Sequence, residues 1–497
     1  MKKILLSLLI VILLGVVGFL FFSYKEKTSA PKELVYALPN EVVTLDPHKI
    51  TEIYTAQVLA QMYEGLVGLD KNNQVVPVLA ESWSTDDYKT WKFKIRKNVF
   101  FHDGTPLKPS DVLFSFQRLS SKDSTYAWLF TGLVKDMRIE SPDTFVIELN
   151  QPEKFFLNRI THNLISVVPE SIKNMSNFGT EVAIGTGPFK LVKKADTEII
   201  LARNEKYWRK TNGNVSTLRF VVIKNDQVRL SEFKAGRVHL MEVPLSLAQV
   251  VNNSPDIQKN FQFSSFPTFN IHFVGFNTKV FDQHLRRAIN LAIDRREISR
   301  IGTSGFGIPN SNPLPTTFKG LQERDVYNLE EAKKELSLVK SIPKLELVIS
   351  DKNNAPVVAE IIQNQLKKIG LDISIKQVDF NTLVDNIMKG KTDFFLAWFE
   401  LMFSSPEPIL IDSLHSSKIP VPNFWKLEDK ELDQMLEKLK EPGNENLISE
   451  ILKRFNENPP FAPLFTLKTT LIHPEYVKNV YLNGHNLPLL EEIYIEK

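Results

Sequence analysis

Residues 345–398, LELVISDKNNAPVVAEIIQNQLKKIGLDISIKQVDFNTLVDNIMKGKTDFFLAW, switch repeatedly between strand and helix periodicity and decide the fold class. Leu345–Ile349 is a short apolar strand. Pro356 opens a helix whose apolar positions, Val357, Val358, Ile361, Ile362, Leu366 and Ile369, recur about once per turn. Gly370 stands where a helix C-terminus favours a residue tolerant of positive φ. Leu371, Ile373 and Ile375 then alternate with Asp372, Ser374 and Lys376, a half-buried strand. A second helix around Thr382–Lys389 leads into a buried strand, Asp393–Trp398. Strand, helix, strand, helix, strand in this order predicts parallel strands joined by right-handed crossovers, an open α/β lobe.

Outside this lobe the pattern changes. Trp91-Lys92-Phe93-Lys94-Ile95-Arg96 alternates apolar with basic, and Phe145, Ile147 and Leu149 alternate after the turn Ser141-Pro142-Asp143. Glu64 to Glu181 therefore reads as strands and loops, with one helix near Ser110–Leu119 behind Pro109. An α/β protein of two lobes holds its ligand in the crevice between them or at the carboxyl ends of its strands.

The 497 residues exceed what one core accommodates; roughly three domain-sized units is the expectation from length. Apolar residues make up 43% and charged ones 24%, an ordinary globular balance. Lysine plus arginine number 61 against 58 acidic residues, so no general attraction to nucleic acid is expected. With no cysteine, disulfides, thiolate metal sites, cysteine nucleophiles and a lipoprotein anchor are all excluded. No H-E-x-x-H, G-x-S-x-G or G-x-x-x-x-G-K-[ST] occurs, and none of the 9 histidines stands at i, i+4 from another. The carboxylate pairs Asp86-Asp87 and Glu330-Glu331 read as exposed loop and helix-start charges. Neither catalysis nor a cofactor nor a metal is expected.

Lys2 and Lys3 precede an uncharged apolar run from Ile4 to Tyr24, closed by Lys25-Glu26-Lys27. A positive end before such a run is an export signal. The run approaches the roughly 20 residues that span a bilayer, which favours an uncleaved anchor. Thr28-Ser29-Ala30 leaves a cleaved leader open, although Pro31 hinders cleavage. Either reading places Pro31 onward outside the cytoplasm, periplasmic or otherwise extracytoplasmic.

Several blocks in register resemble the bacterial extracellular solute-binding proteins of family 5, the oligopeptide-, dipeptide- and nickel-binding components of ABC importers. The match begins at Thr44-Leu45-Asp46-Pro47-His48 and Tyr63-Glu64-Gly65-Leu66. It is densest from Leu79-Ala80-Glu81-Ser82-Trp83 to Phe101-His102-Asp103-Gly104-Thr105-Pro106-Leu107. Gly185-Thr186-Gly187-Pro188-Phe189, Tyr207-Trp208, Phe276-Asn277-Thr278, Leu285-Arg286-Arg287-Ala288-Ile289 and Ala292-Ile293-Asp294-Arg295 follow, and Pro459-Pro460-Phe461-Ala462-Pro463-Leu464 closes the series.

The resemblance implies a two-lobed periplasmic-binding-protein clamshell, α/β with mixed sheets, a hinge and an extra small domain. Residues 1–30 are the signal or anchor. Lobe I comprises 31–63, 183–276 and 466–497; the small domain is 64–182; lobe II is 277–465. It further implies a monomer that closes over a small-molecule ligand, a peptide first of all, and delivers it to an ABC permease and its ATPase. A nickel chelate, an oligosaccharide, or an anchored receptor uncoupled from import remain alternatives. Relatives hold the ligand's amino group with an Asp in a segment that corresponds here to Trp398–Pro408; Ser405 occupies its place, and Glu407 or Glu400 could substitute. Serine accepts a hydrogen bond but cannot neutralise an ammonium ion. Trp398, Phe399 and Phe403 are either core or an apolar wall for the ligand. Phe424 and Trp425, after Pro420 and Pro422, either line the pocket or anchor their loop. Ile50, Thr51, Glu52 and Tyr54 lie where relatives present lobe I to the ligand, although Glu52 also reads as a solvated loop acid. His102 beside Asp103-Gly104 reads as a satisfied turn histidine.

Overall fold

The computed structural model describes residues 32–318, 326–441 and 443–496; the expected signal or anchor in 1–30 lies outside them. The strand Glu346–Ile349 pairs parallel with Ser374–Gln377 and with Phe394–Glu400, as the sequence order requires. Between them, helix Ala355–Lys367 starts with Pro356 in its first turn and buries Val358, Ala359, Ile362 and Leu366. It ends at Gly370, whose φ of 86° is the left-handed conformation that glycine adopts without strain. The second helix, Phe380–Met388, begins earlier than its apolar periodicity suggests, because the Asp379 side chain caps it by accepting from the Thr382 N–H.

These strands end a mixed sheet that crosses the whole molecule. Its order is Ser374–Gln377, Glu346–Ile349, Phe394–Glu400, Asn270–Phe276, Phe461–Pro474, Leu240–Glu242, Glu33–Leu38, Thr217–Val222, Glu198–Arg203, Phe189–Ala195. Parallel pairing occurs on both sides, with Glu33–Leu38 lying parallel to Thr217–Val222 and to Leu240–Glu242. The centre is antiparallel. Phe461–Pro474 pairs through its first part with Asn270–Phe276 and through its second with Phe261–Pro267 and Leu240–Glu242. At the crossover between these ladders the Asn270 side chain stands in for backbone: its Nδ2 donates to Leu467 O at 2.8 Å, and its Oδ1 accepts from Leu467 N at 2.8 Å. Residues around Thr268 and Leu467 are thus where both chain segments pass from one lobe to the other.

A second sheet is an antiparallel meander with the order Ala80–Ser84, Thr90–Ile95, Thr144–Leu149, Val134–Ser141. Helix Pro109–Leu119 covers it, burying Val112, Phe116 and Leu119, with the Phe116 and Phe145 ring centroids 5.5 Å apart.

The conspicuous sequence blocks meet inside the protein. Glu64 is buried and accepts from Thr186 Oγ1 at 2.9 Å, Tyr207 Oη at 2.8 Å and Trp208 Nε1 at 3.0 Å, which joins three of them. Buried Asp46 takes both terminal nitrogens of Arg118 and caps the turn at His48. His102 receives the Gly185 N–H at Nδ1 and lies 3.0 Å from Gly187 O through Nε2, with burial pushing its pKa down to about 4. Arg286 donates to Pro459 O at 2.7 Å and Arg295 to Pro463 O at 2.6 Å, tying the penultimate blocks to the last. Asp294, just past helix Gln283–Ala292, caps the following turn, accepting from the Arg296 and Glu297 N–H groups.

Gly187 packs directly on the end of the Ile53–Leu59 segment: an added Cβ would stand 2.6 Å from Met62 C and 2.8 Å from Gln61 O, both backbone atoms that cannot step aside. Gly187→Ala is expected to cost about 1–3 kcal/mol of unfolding free energy, read from the urea midpoint at unchanged slope.

Candidate ligand-binding site

Strand Phe394–Glu400 alternates its faces. Phe395, Ala397 and Phe399 turn to one side, where the Phe399 ring lies 4.8 Å from Phe273 and 5.3 Å from Phe424. Trp398 and Glu400 turn to the other. Trp398 stacks on His272 of the neighbouring strand at 5.8 Å and on Phe380 at 5.0 Å, and stays half-buried.

Glu400 ends the strand, and among the described residues its carboxylate has no hydrogen bond or ion pair. It is exposed, yet burial pushes its pKa up to about 8, followed in effect by the charge of Glu242. Its carboxylate reaches water while the surrounding protein still weakens its hydration. Glu242 ends Leu240–Glu242 on the lobe I side, and burial raises it to about 7 against the attraction of Arg229. Its Oε2 is buried without a partner. The Tyr54 hydroxyl bonds this carboxyl, and Tyr54 is itself raised by burial first and by Glu242 second. Tyr36 donates to Gln57 Oε1 at 3.1 Å behind it. Tyr54 is thus bonded to Glu242, and Glu242 acts electrostatically on Glu400, which shares a strand face with Trp398, a constellation of four residues.

The other expected site residues separate from it. Trp425 is 1% exposed, stacked on Phe461 at 4.3 Å, and its Nε1 donates to Ser413 O at 2.8 Å. It is a core anchor with no surface to offer. Ile50 is buried as well, and Phe424 covers Phe399 from the loop, half-buried. Thr51 is exposed. Glu52 is a helix cap that accepts from the Tyr54 and Thr55 N–H groups, so its carboxylate is engaged locally rather than solvated. Buried Ser405 donates to Glu407 in the first turn of helix Pro406–Leu414, so neither group is free to meet an ammonium ion.

Phe403 lies instead where the meander region meets lobe II. Arg159 sits over its ring at 4.7 Å, Trp128 meets it edge-on at 6.0 Å, and Arg159 pairs with Asp412 at 2.9 Å. Burial alone would raise Asp412, but Arg159 and Lys418 hold it below the usual carboxylate range. Ser404 adds bonds to Asn158 Nδ2 at 3.1 Å and Thr161 Oγ1 at 3.2 Å. A separate recess of about 550 Å³, lined by Pro39, Asn40, Lys224, Asn225 and Lys352 among others, shares no residue with the constellation and has no aromatic wall.

Glu242 escaped the sequence reading. Its signal is a single carboxylate inside the apolar run Val238–Val243, which cannot tell a caged acid from an exposed one.

Two half-sheets that share the strand Phe461–Pro474, with a crossover at Asn270 and Leu467, define a two-lobed α/β binding protein. The chain belongs to the bacterial extracellular solute-binding proteins, family 5, whose middle-region model matches residues 74–420. It is 24% identical to the oligopeptide-binding protein OppA of Bacillus subtilis over 93% of this chain and 92% of that one. Identity is also 24% to the periplasmic murein peptide-binding protein MppA of Escherichia coli, over 91% of each. Among solved structures, DppA of Helicobacter pylori in complex with the peptide STSA superposes with a TM-score of 0.79 at 23% identity, covering 94% of this chain and 98% of that one. NikZ of Campylobacter jejuni in complex with Ni(L-His) gives 0.76 at 22%, covering 93% and 99%. The two-lobed α/β fold is common to all of these.

Trp425→Ala should remove about 3–5 kcal/mol of stability, as expected for a fully buried aromatic, and calorimetry of the purified protein reads it as a lowered Tm. A loss under 1 kcal/mol would return Trp425 to the list of surface-facing residues.

Proposed function

We propose that this chain is the substrate-binding component of an ABC-type importer, which takes a peptide between its lobes and passes it to a membrane permease and its ATPase. The observation that carries the reading is the two-part sheet sharing the strand Phe461–Pro474, with Tyr54 and Glu242 on one side of the crossover and Trp398 and Glu400 on the other, Glu242 acting on Glu400. The names of the relatives support a peptide, since oligopeptide-, dipeptide- and murein peptide-binding proteins match along more than nine-tenths of this chain.

In this reading the lobes are 31–63 with 183–276 and 466–497, and 277–465, while 64–182 forms the small domain. Support for the small domain comes from the meander sheet, whose strands all fall within 64–182, while the crossover at Asn270 and Leu467 favours ending the 183–276 segment of lobe I nearer 268, since Asn270–Phe276 pairs with Phe394–Glu400. The protein works as a monomer outside the cytoplasm, exported or tethered by 1–30. It catalyses no covalent step. Trp398 supplies the flat apolar wall against which ligand side chains lie. Backbone at the strand ends supplies hydrogen bonds as to an added strand, which tolerates varied peptide sequences.

A non-peptide solute is the second reading. NikZ with Ni(L-His), and the binding protein AgaA in complex with agropinic acid, hold such ligands on the same fold.

Native mass spectrometry of the purified protein should reveal co-purified peptides; a nickel chelate or a sugar in their place would overturn the peptide assignment. Uptake of those peptides should fall in a deletion strain, whereas normal uptake would point to a receptor that feeds no importer. Trp398→Ala should weaken peptide binding about tenfold or more, roughly 1.4 kcal/mol, with cooperative unfolding retained. Unchanged affinity would take Trp398 out of the site.

A further inference from the structure

Buried bonds carry the small domain along with lobe I. Glu64 accepts from Thr186, Tyr207 and Trp208, the Arg96 guanidinium lies 4.3 Å from the Trp208 ring, and His48 Nε2 sits 3.0 Å from Ser166 O. Asp46 with Arg118, and His102 with Gly185 and Gly187, cross the same boundary. Helix Pro406–Leu414 is held just as firmly by lobe II. It follows strand Phe394–Glu400, which pairs along its whole length with Asn270–Phe276, and Trp425 in the core donates to Ser413 O.

Where these two bodies meet, ion pairs, hydroxyls and amides gather round one ring. Arg159 Nη1 donates to Asp412 Oδ2 at 2.9 Å, and its guanidinium lies over Phe403. Asn158 Nδ2 and Thr161 Oγ1 reach Ser404 Oγ, Lys154 pairs with Glu445, and half-exposed Trp128 meets the edge of Phe403. Rotation about Thr268 and Leu467 moves lobe II against lobe I and the small domain together, so all of these contacts cross the boundary that parts. Parting strands neither buried charge. Glu153 lies 3.5 Å from Arg159 on the small domain, and Lys418 lies 3.2 Å from Asp412 on lobe II, so each keeps a counter-ion on its own side. A buried ion pair also gains from its partner little more than it loses in hydration, which leaves the joined and the parted states close in free energy.

We propose that this contact is a latch, by which the small domain clasps lobe II when the lobes are shut and releases it when they open. The inference rests on the proposed binding function, and it assigns part of ligand retention to residues away from the Trp398 face. Ligand and latch favour the same shut form, so each supports the other: an intact latch raises the share of protein able to hold ligand, and bound ligand keeps the latch made. Weakening the latch speeds the departure of ligand, which waits for the lobes to part, and leaves its first encounter with the open form unchanged.

The chain has no cysteine, so a single introduced thiol reports its own surroundings. Ser404→Cys places one beneath Asn158 and Thr161, and Ala288→Cys places another in the fully buried core of lobe II as the reference for unfolding. Each protein, freed of ligand by unfolding and refolding, is treated with dithionitrobenzoate. The Ser404→Cys thiol should react about a hundredfold faster than the Ala288→Cys thiol, because opening the latch costs less than unfolding the protein. Saturation with random tetrapeptides should slow the Ser404→Cys reaction about tenfold. Trp128→Ala, which removes a half-exposed ring and spares the fold, and Arg159→Met should each speed that reaction about threefold and raise the dissociation rate of the peptides alike, at an unchanged association rate. Equal reaction of the two thiols would overturn the latch, since the contact would then part only on unfolding. No slowing by peptide that calorimetry shows to be bound would overturn it too, as would variants that leave the thiol reaction unchanged. These three results leave the peptide assignment standing. Should no tetrapeptide bind while Ser404→Cys still reacts far ahead of Ala288→Cys and Trp128→Ala speeds it, the latch stands and the peptide assignment falls.

Discussion

The backbone ladder of Phe461–Pro474 is the constraint on which the rest of the molecule depends. One strand belongs to both halves of the sheet, pairing with Asn270–Phe276 on one side of the crossover and with Phe261–Pro267 and Leu240–Glu242 on the other. Each ladder lies on its own side of the crossover, so the continuous strand is what carries one half into the other. Rotation about the short stretch around Thr268 and Leu467 leaves them intact. The Asn270 amide bridges that stretch with both its oxygen and its nitrogen, so the ladder's hydrogen bonding continues through a place where strand geometry does not. A fold built this way concentrates its hinge in two short chain segments, the arrangement from which hinged domain closure is built.

The blocks that make the sequence recognisable serve this frame and not the ligand. Glu64, with three donors from Thr186, Tyr207 and Trp208, fastens three segments far apart in the chain. Arg286 and Arg295 do the same for the last block through backbone carbonyls. A buried polar group held by several partners is costly to disturb, because removing any one leaves the others desolvated and unpaired. Such knots tolerate few residue types at fixed spacing, and hence they stand out in a single sequence.

How much could be read in the chain follows from the range of each interaction. The α/β lobe at 345–398 was legible because helix and strand periods, the Pro356 start and the Gly370 stop are all local. The earlier start of Phe380–Met388 was hidden because capping by Asp379 outweighs apolar periodicity at a helix end. The sheet order was not legible from periodicity, since Phe461–Pro474 meets partners some two hundred positions away and nothing in its own residues names them. At the site, Trp398 lay within reach of the family pattern. Phe424 and Trp425, adjacent in a proline-bounded loop, could not be told apart: only the fold decides that Trp425 enters the core while Phe424 covers it. Ser405 and Glu407 looked available because a hydroxyl and a carboxylate two residues apart carry no mark of being bonded to each other.

Buried charge in this protein comes in two kinds. Asp46 with Arg118, Asp412 with Arg159 and Glu335 with Arg287 are compensated, and the first two hold their carboxyls below the usual range despite burial. Their work is structural, and the protein would hold them in the same way with or without a ligand. Glu242 and Glu400 go the other way: desolvation raises both, and the charge of Glu242 adds to the rise at Glu400. Desolvating an acid without a partner lowers stability, so a fold shaped by stability alone would place Leu or Gln at such positions. What distinguishes these two carboxylates from the well-paired interior is the lack of a salt bridge: Glu242 has the Tyr54 hydroxyl and the more distant charge of Arg229, whereas Asp46 and Asp412 each meet a guanidinium directly.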